Sequence, residues 1–262
     1  MGHLRPRAKA RLPMPFDNSL KPSSPPSPEA TVRMPAGRDD LPGRLISTPW
    51  GELRPAVELA PLLYLFLLYG VVYFLPFGLF EFWRKGEDGP AEWLQFLAIA
   101  AACYHATRVA WRRRSLGGIA LWGWVVLALF CFLLAAEEIS WGERITGIGL
   151  EAVRSINAQE ETTVHNIPAV QSLIHFAFIF TGLLFGYAGW RWLPAIDALP
   201  ARRFSLYFLP VALFYAYWDL SWISHGDRIR NDQEAIELLL AFGLFAHARW
   251  MDRRGDRALP TG

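Results

Sequence analysis

Carboxylate and imidazole side chains recur at the ends of the longest apolar runs in this sequence, where they can bind a cation or transfer protons. Two adjacent carboxylates end one run, an E-x3-H pair follows in the next loop, and two more carboxylates open the last run. Carboxylate oxygens and imidazole nitrogens suit hard or borderline divalent cations. For the adjacent pair, the alternative is a hydrated membrane stop signal. The predicted metal ligands are Glu137, Glu138, Glu161, His165, Glu234 and Glu237.

Three further side chains are candidates for proton transfer. His175 lies inside an apolar run, and Asp219 and His225 lie at the end of another. Imidazole and carboxyl groups act as general acids and bases when a pocket positions them. The alternatives are structural: a hydrogen-bonded histidine in each case, or an ion pair of Asp219 with Arg228 or Arg230. His175, His225 and Asp219 are therefore the predicted catalytic residues.

The elements that must position these groups are long apolar helices. Hydrophobic residues make up 53% of the chain and charged residues 19%, below the roughly 25% of a soluble domain. A helix needs about 20 apolar residues to cross a bilayer. The sequence predicts an all-α polytopic membrane protein, a bundle of six transmembrane helices. The predicted spans lie near 57–80, 91–111, 116–138, 169–191, 203–224 and 232–250.

Basic residues predict the orientation of the bundle. With a cytoplasmic N-terminus, 20 of the 26 Lys and Arg residues lie on the inner side, as the positive-inside rule requires. Residues 1–54 read as a disordered cytoplasmic tail rich in Pro and Arg, 55–251 as the membrane domain, and 252–262 as a second cytoplasmic tail. In a bacterium, this topology places the protein in the inner membrane with both termini cytoplasmic.

Helical phase brings the polar residues to the outer, periplasmic face. His175 shares its helix face with Gly182, Gly186 and Gly189, a small-residue face that favours close helix packing. The outer loop, residues 139–168, repeats apolar residues every three positions, which predicts a short helix on the membrane surface. If the third span continues past its carboxylates, helical phase puts four residues on one side of it: Glu137, Ser140, Trp141 and Arg144.

Two stretches carry a resemblance to known proteins. EEISWGERI at 137–145 and NAQEETTVHN at 157–166 resemble a group of uncharacterised bacterial multi-pass membrane proteins with the pattern EEISWGxRI…NxQxE…HN, which implies no activity. A partial resemblance links Ser221 and His225 to the Ser-x3-His of alkaline ceramidase-like membrane hydrolases, which hold zinc. The final His-x3-His of that family is missing, because His247 stands alone.

These observations favour a membrane-embedded enzyme that acts on a lipid or lipid-linked substrate with the help of a divalent metal ion. One alternative is a proton-coupled or small-solute transporter, in which acids and histidines form a relay. The other is a non-catalytic assembly or binding subunit that docks through its outer loop. Glycine-rich phosphate loops and a basic stripe interleaved with aromatic residues are missing from the sequence, so no nucleic-acid partner is predicted.

The topology gives the first testable prediction. Reporter fusions at Arg112 and Gly262 should report a cytoplasmic location, and a fusion at Asn157 a periplasmic one, because the basic residues concentrate near the first two positions. A periplasmic C-terminus would contradict an even number of spans.

Overall fold

Helices make up nearly all of the regular structure in this computed structural model. The residues it describes are 46–48, 51–75, 78–84, 89–158, 160–220 and 233–258. The short helices are α1 Pro55–Glu58, α3 Leu79–Arg84, α6 Glu143–Thr146, α7 Glu151–Arg154 and α9 Gly189–Trp192. The long helices are α2 Ala60–Gly70, α4 Pro90–Arg112, α5 Gly118–Glu138, α8 Pro168–Leu183, α10 Ser205–Leu220 and α11 Gln233–Ala258.

A small hairpin precedes the first helix. Strands β1, Ile46–Thr48, and β2, Gly51–Leu53, pair antiparallel with Ile46 opposite Leu53. The sequence assigned residues 1–54 to a disordered tail. Within that range the described residues form this hairpin, and residues 1–45 lie outside the described residues.

Helix α4 is at the centre of the packing, with its most extensive contacts to α11 and α5. Its contact face is built from small side chains one turn apart, since Ala98, Ala102 and Ala106 are all buried. On α11, Ala241 and Ala248 are fully buried as well. Small residues at these positions allow two helix backbones to approach closely, as in membrane helix pairs.

The predicted glycine face of the fourth span does face a neighbouring helix. A methyl group built on Gly182 would lie 2.7 Å from the Cβ of Ala212 and 2.8 Å from its backbone nitrogen, both on α10. A methyl group on Gly186 would lie 2.7 Å from the side chain of Leu209 on the same helix. The helix widens into a π turn over Leu184–Ala188 directly after α8. Because Gly182 and Gly186 have no side chain, this helix and α10 can pack in direct contact.

Each of the last five predicted spans corresponds to a helix, which confirms the helical fold class. The first span does not form one helix, because α2 ends at Gly70 and a 3-10 turn over Val72–Phe74 follows. By length and composition, two helices of the described chain can cross a membrane: Gly118–Glu138 and Leu173–Trp192. Only 22% of each apolar window is buried inside the protein. Most of their apolar surface therefore faces outward.

The α8–α10 contact gives a stability prediction. Gly182→Val should lower the free energy of unfolding by about 1–3 kcal/mol, because the new side chain overlaps the α10 backbone. Thermal unfolding in detergent measures the loss. Ala177→Val is the matched control, since Ala177 is exposed on the same helix. An equal loss in both variants would contradict the close approach.

Candidate functional site

A left-handed turn directly follows α5 at the end of the bundle where α4 and α11 begin. The polar residues gathered there, Gln95, Glu138, Arg144, Glu161 and Glu237, are called the outer-end polar site. Ser140 and Trp141 have φ values of 49° and 55°, and Gly142 has 90°. Left-handed backbone is rare for a residue as bulky as Trp141, and such strain concentrates at functional sites. The turn ends the helix after Glu138, so the condition for placing Glu137, Ser140, Trp141 and Arg144 on one side of a helix is not met. It leaves Ser140 almost fully buried, with the chain turning back toward the bundle.

Arg144 lies between two carboxylates from different elements. Its guanidinium contacts Glu92 of α4, and its Nη2 lies 3.1 Å from Oε2 of Glu161 in the outer loop. The side chains of Arg144 and Glu92 are each only 9% exposed. Ser140 joins them, since its hydroxyl donates to Glu161 over 2.8 Å and accepts from Nε of Arg144 over 3.2 Å. These contacts fasten the outer loop to the first turn of α4.

The surroundings of Arg144 favour its charged form. Burial lowers the pKa of the Arg144 guanidinium, but the charges of Glu92 and Glu161 outweigh that effect. The pKa therefore lies above its usual value. A guanidinium with two carboxylate partners satisfies the general condition for burying a charge, which is that it be paired and hydrogen-bonded. Glu161 is therefore already paired with the Arg144 guanidinium.

Glu137 holds the next segment of the loop. It accepts hydrogen bonds from the backbone N–H groups of Val164 and His165, over 2.8 and 3.2 Å, and from the indole of Trp141 over 2.6 Å. The Nδ1 atom of His165 lies 3.1 Å from the same carboxylate. Glu161 and His165, predicted as a ligand pair, thus contact different partners. The segment between them is not helical, so their four-residue spacing does not put them on one face.

The second carboxylate of the adjacent pair lies inside the bundle. Glu138 accepts a hydrogen bond from the Gln95 amide of α4 over 2.6 Å, and Glu237 of α11 accepts one from the same amide over 3.2 Å. The Tyr215 hydroxyl of α10 also donates to Glu237. Gln95 is 3% exposed, and its Oε1 atom has no hydrogen-bond partner in the described part of the chain. Four helices therefore converge on one amide and two carboxyl groups.

His175 borders this group from α8. Its ring centroid lies 5.2 Å from that of Tyr215, and its Nε2 atom lies 3.5 Å from the Gln233 amide. The prediction that His175 faces a neighbouring helix agrees with these contacts. Glu234 interacts electrostatically with Glu138, so it also lies near the group. His225 and the side chain of Asp219 lie outside the described residues.

The outer loop has an ordered polar interior and an apolar outer side. The backbone N–H of Thr162 donates to Glu143 over 2.7 Å, and the Asn157 amide donates to the Thr163 carbonyl over 2.7 Å. The hydrogen bond from the Thr162 side chain lowers the pKa of Glu143, and the bond from the Thr162 backbone N–H lowers it further. The predicted short surface helix is present as α7. Ile148 is 80% exposed in the same loop.

The structure divides the predicted metal ligands into separate groups. Glu137 contacts His165, Glu161 contacts Arg144, and Glu138 shares the Gln95 amide with Glu237. Among the described residues, no group of three or more His, Cys, Asp and Glu side chains is arranged to hold a metal ion. These ligands thus contact different partners in the described part of the chain, and the predicted ligand set stays a prediction. Whether a divalent metal ion binds stays a prediction.

Sequence reasoning missed two features of the polar structure. It did not include Gln95 or Glu92, which lie at the start of α4 and join the outer-end groups. It also did not include a second cluster at the C-terminal end of α4, where buried Asp252 contacts Arg112 and lies 2.7 Å from His105. The spacing of His105, Arg108 and Arg112 on one helix face could have revealed this second cluster.

Comparisons with known proteins do not add to this description. No protein-family model, no curated protein and no solved structure matches the chain.

The Arg144 group predicts a strong, partner-dependent loss of stability. Arg144→Gln should lower the free energy of unfolding by about 3–5 kcal/mol, because buried Glu92 and partly buried Glu161 lose their cation. Adding Glu92→Gln should restore part of that loss. Denaturant unfolding of all three proteins measures both effects.

Arg154→Gln is the control for a partly exposed ion pair. Arg154 is 38% exposed and its Nε lies 3.5 Å from Glu143, so its loss should cost at most about 1 kcal/mol. If Arg144→Gln were no more harmful than this control, Arg144 would not hold the loop.

Proposed function

We propose that the protein is an integral membrane protein of the bacterial inner membrane. Its six long apolar runs cross the bilayer with both termini in the cytoplasm. The outward-facing apolar surface of α5 and of Leu173–Trp192 supports this proposal. So does the concentration of basic residues in the segments that would be cytoplasmic. In this orientation, the outer-end polar site lies at the periplasmic edge of the membrane.

The function that this site supports best is acid–base catalysis on a lipid or lipid-linked substrate. The observation that carries the proposal is the amide of Gln95, which binds the carboxyl groups of Glu138 and Glu237 together. Neither carboxyl forms an ion pair with another described residue. When one of the two carries a proton, the pair offers a general acid and a general base side by side.

The neighbouring groups position this pair. Tyr215 donates to Glu237 and fixes one carboxyl from the side of α10, while His175 borders the same tyrosine and can exchange protons with the periplasm. Arg144 neutralises the charge of the nearby Glu92 and holds the loop in place. The unpartnered Oε1 of Gln95 supplies an acceptor for a substrate hydroxyl or amide. A metal ion, if one binds, would draw its ligands from these carboxylates.

The site lies at one end of the bundle, which favours catalysis over transport. Gln95 and His105 lie ten residues apart on α4, about 15 Å along the helix. The α4 face between them that packs in the bundle is apolar and buried, with Ala98, Ile99 and Ala102 each at most 7% exposed. A proton relay needs polar groups across the membrane, and this stretch of α4 does not offer them.

A non-catalytic binding role is the second candidate, and the outer loop favours it. Ile145, Ile148, Leu150 and Ile156 are each at least 59% exposed on this loop. A surface of this kind fits the membrane interface or the apolar face of a partner protein. This role requires the loop but not the carboxyl pair.

Variants of the carboxyl pair distinguish these functions. The purified protein, reconstituted in vesicles of total bacterial lipid extract, should change the abundance of at least one lipid species, as measured by mass spectrometry. Glu138→Gln and Glu237→Gln should each reduce that change by about 100-fold or more, as expected for loss of a general acid or base.

Glu151→Gln is the matched control, because Glu151 is exposed on the outer loop; it should leave the change intact. Elemental analysis of the same preparations tests the metal prediction, which near-stoichiometric metal would support. If no lipid changes with the wild-type protein, or if both variants are as active as it is, the enzyme proposal fails and the binding role gains support.

A further inference from the structure

An apolar groove runs along α11 beside the first helices, and its lining begins at Leu238, one residue after Glu237 of the outer-end site. It encloses about 580 Å³, within the usual size of small-molecule sites. Helices α1 and α2 form one wall, and α11 with Tyr207 of α10 forms the other. Its lining includes Ala56, Pro61, Tyr207, Leu239, Phe242 and Trp250.

The groove runs along α11 and ends in positive charge. Its lining extends from Leu238 to Arg253, a rise of about 22 Å along the helix. Arg249 and Arg253 lie one turn apart at its inner end, and both are exposed. Neither arginine forms an ion pair within the described part of the chain. Arg249 lies over the ring of Phe245, 5.5 Å from its centroid, which holds the guanidinium beside the groove.

These dimensions match one leaflet of a bilayer. Half of the hydrocarbon core is about 15 Å thick, which is shorter than the groove. A lipid with its headgroup beside the two arginines could therefore place its whole acyl chain in the apolar part of the groove. The two guanidinium groups would then lie at the depth of the lipid phosphates on the cytoplasmic side. Arginine binds phosphate oxygens through paired N–H groups. The charge therefore fits an anionic headgroup better than a zwitterionic one.

We propose that this groove binds an anionic phospholipid of the cytoplasmic leaflet, with one acyl chain between α2 and α11 and the phosphate at Arg249 and Arg253. The site is separate from the proposed acid–base site. It depends on the membrane location of the chain but not on any catalytic activity. The bound lipid would fill the space between α2 and α11 and so hold the first helices against the bundle.

Native mass spectrometry of the full chain in a neutral detergent tests the proposal. The probes are phosphatidylglycerol and phosphatidylcholine with identical acyl chains. The wild-type protein should retain phosphatidylglycerol about 25-fold better, because each of the two arginines near an anionic lipid contributes about fivefold. Arg249→Gln/Arg253→Gln should abolish that preference. Arg114→Gln/Arg191→Gln removes the same charge from two exposed arginines outside the groove and should leave it unchanged.

Two further variants test the acyl-chain part of the groove. Ala246→Phe and Ala60→Phe fill it from opposite walls, so each should reduce retention of both lipids at least fivefold, provided that thermal unfolding shows a folded protein. Two variants are used because one of them can fail to fold.

Other outcomes would overturn the proposal. Equal retention of both lipids by the wild-type protein, or an equal loss of preference in the Arg114/Arg191 control, would show that the groove arginines do not select the headgroup. Displacement of the lipid by glycerol 3-phosphate alone would show a simple phosphate site. A dimer that dissociates only when the groove is filled would show that a second copy of the chain occupies it.

Discussion

The outer end of this protein depends on one guanidinium. Glu92 and Glu161 come from a helix and a loop that are far apart in sequence, and the first carboxylate is buried and the second partly buried. A charge in such a position is tolerated only with a partner of opposite sign. Arg144 provides it, and the left-handed turn at Ser140 and Trp141 is what brings Arg144 back toward α4. This pairing fastens the loop segment around Glu161 to the first turn of α4.

Polar contacts join the bundle helices at both ends of α4 and α11. At the outer end Gln95 links Glu138 with Glu237, and at the inner end Arg112 and His105 contact Asp252. Between these polar groups, buried alanines bring the two helices close together. The polar contacts fix the register of the pair, and the small residues fix its spacing. A site built between such helices is held from several directions, which is what precise acid–base chemistry needs.

The sequence predicted those features that depend on composition and helical phase. The positions of five helical spans, the glycine face of α8 and the short surface helix α7 all follow from local periodicity. Long-range features could not be predicted in this way. Helical phase does not predict which side chains face each other beyond Glu138, because the turn at Ser140 reverses the chain. The four-residue spacing of Glu161 and His165 does not predict a shared face either, because the two residues lie in a loop. Gln95 is uncharged, so nothing in its local sequence marks it as the link between two carboxyl groups.

The carboxyl groups of the outer end are of two kinds. Glu92 and Glu161 contact Arg144, whereas Glu138 and Glu237 share the Gln95 amide and form no ion pair with another described residue. A hydrophobic carbodiimide reacts with carboxyl groups that carry a proton, so peptide mapping after such labelling separates the two kinds. On the acid–base proposal, we expect modification at Glu138 or Glu237, and none at Glu92 or Glu161. Labelling at Glu161 with none at the Gln95-linked pair would contradict it.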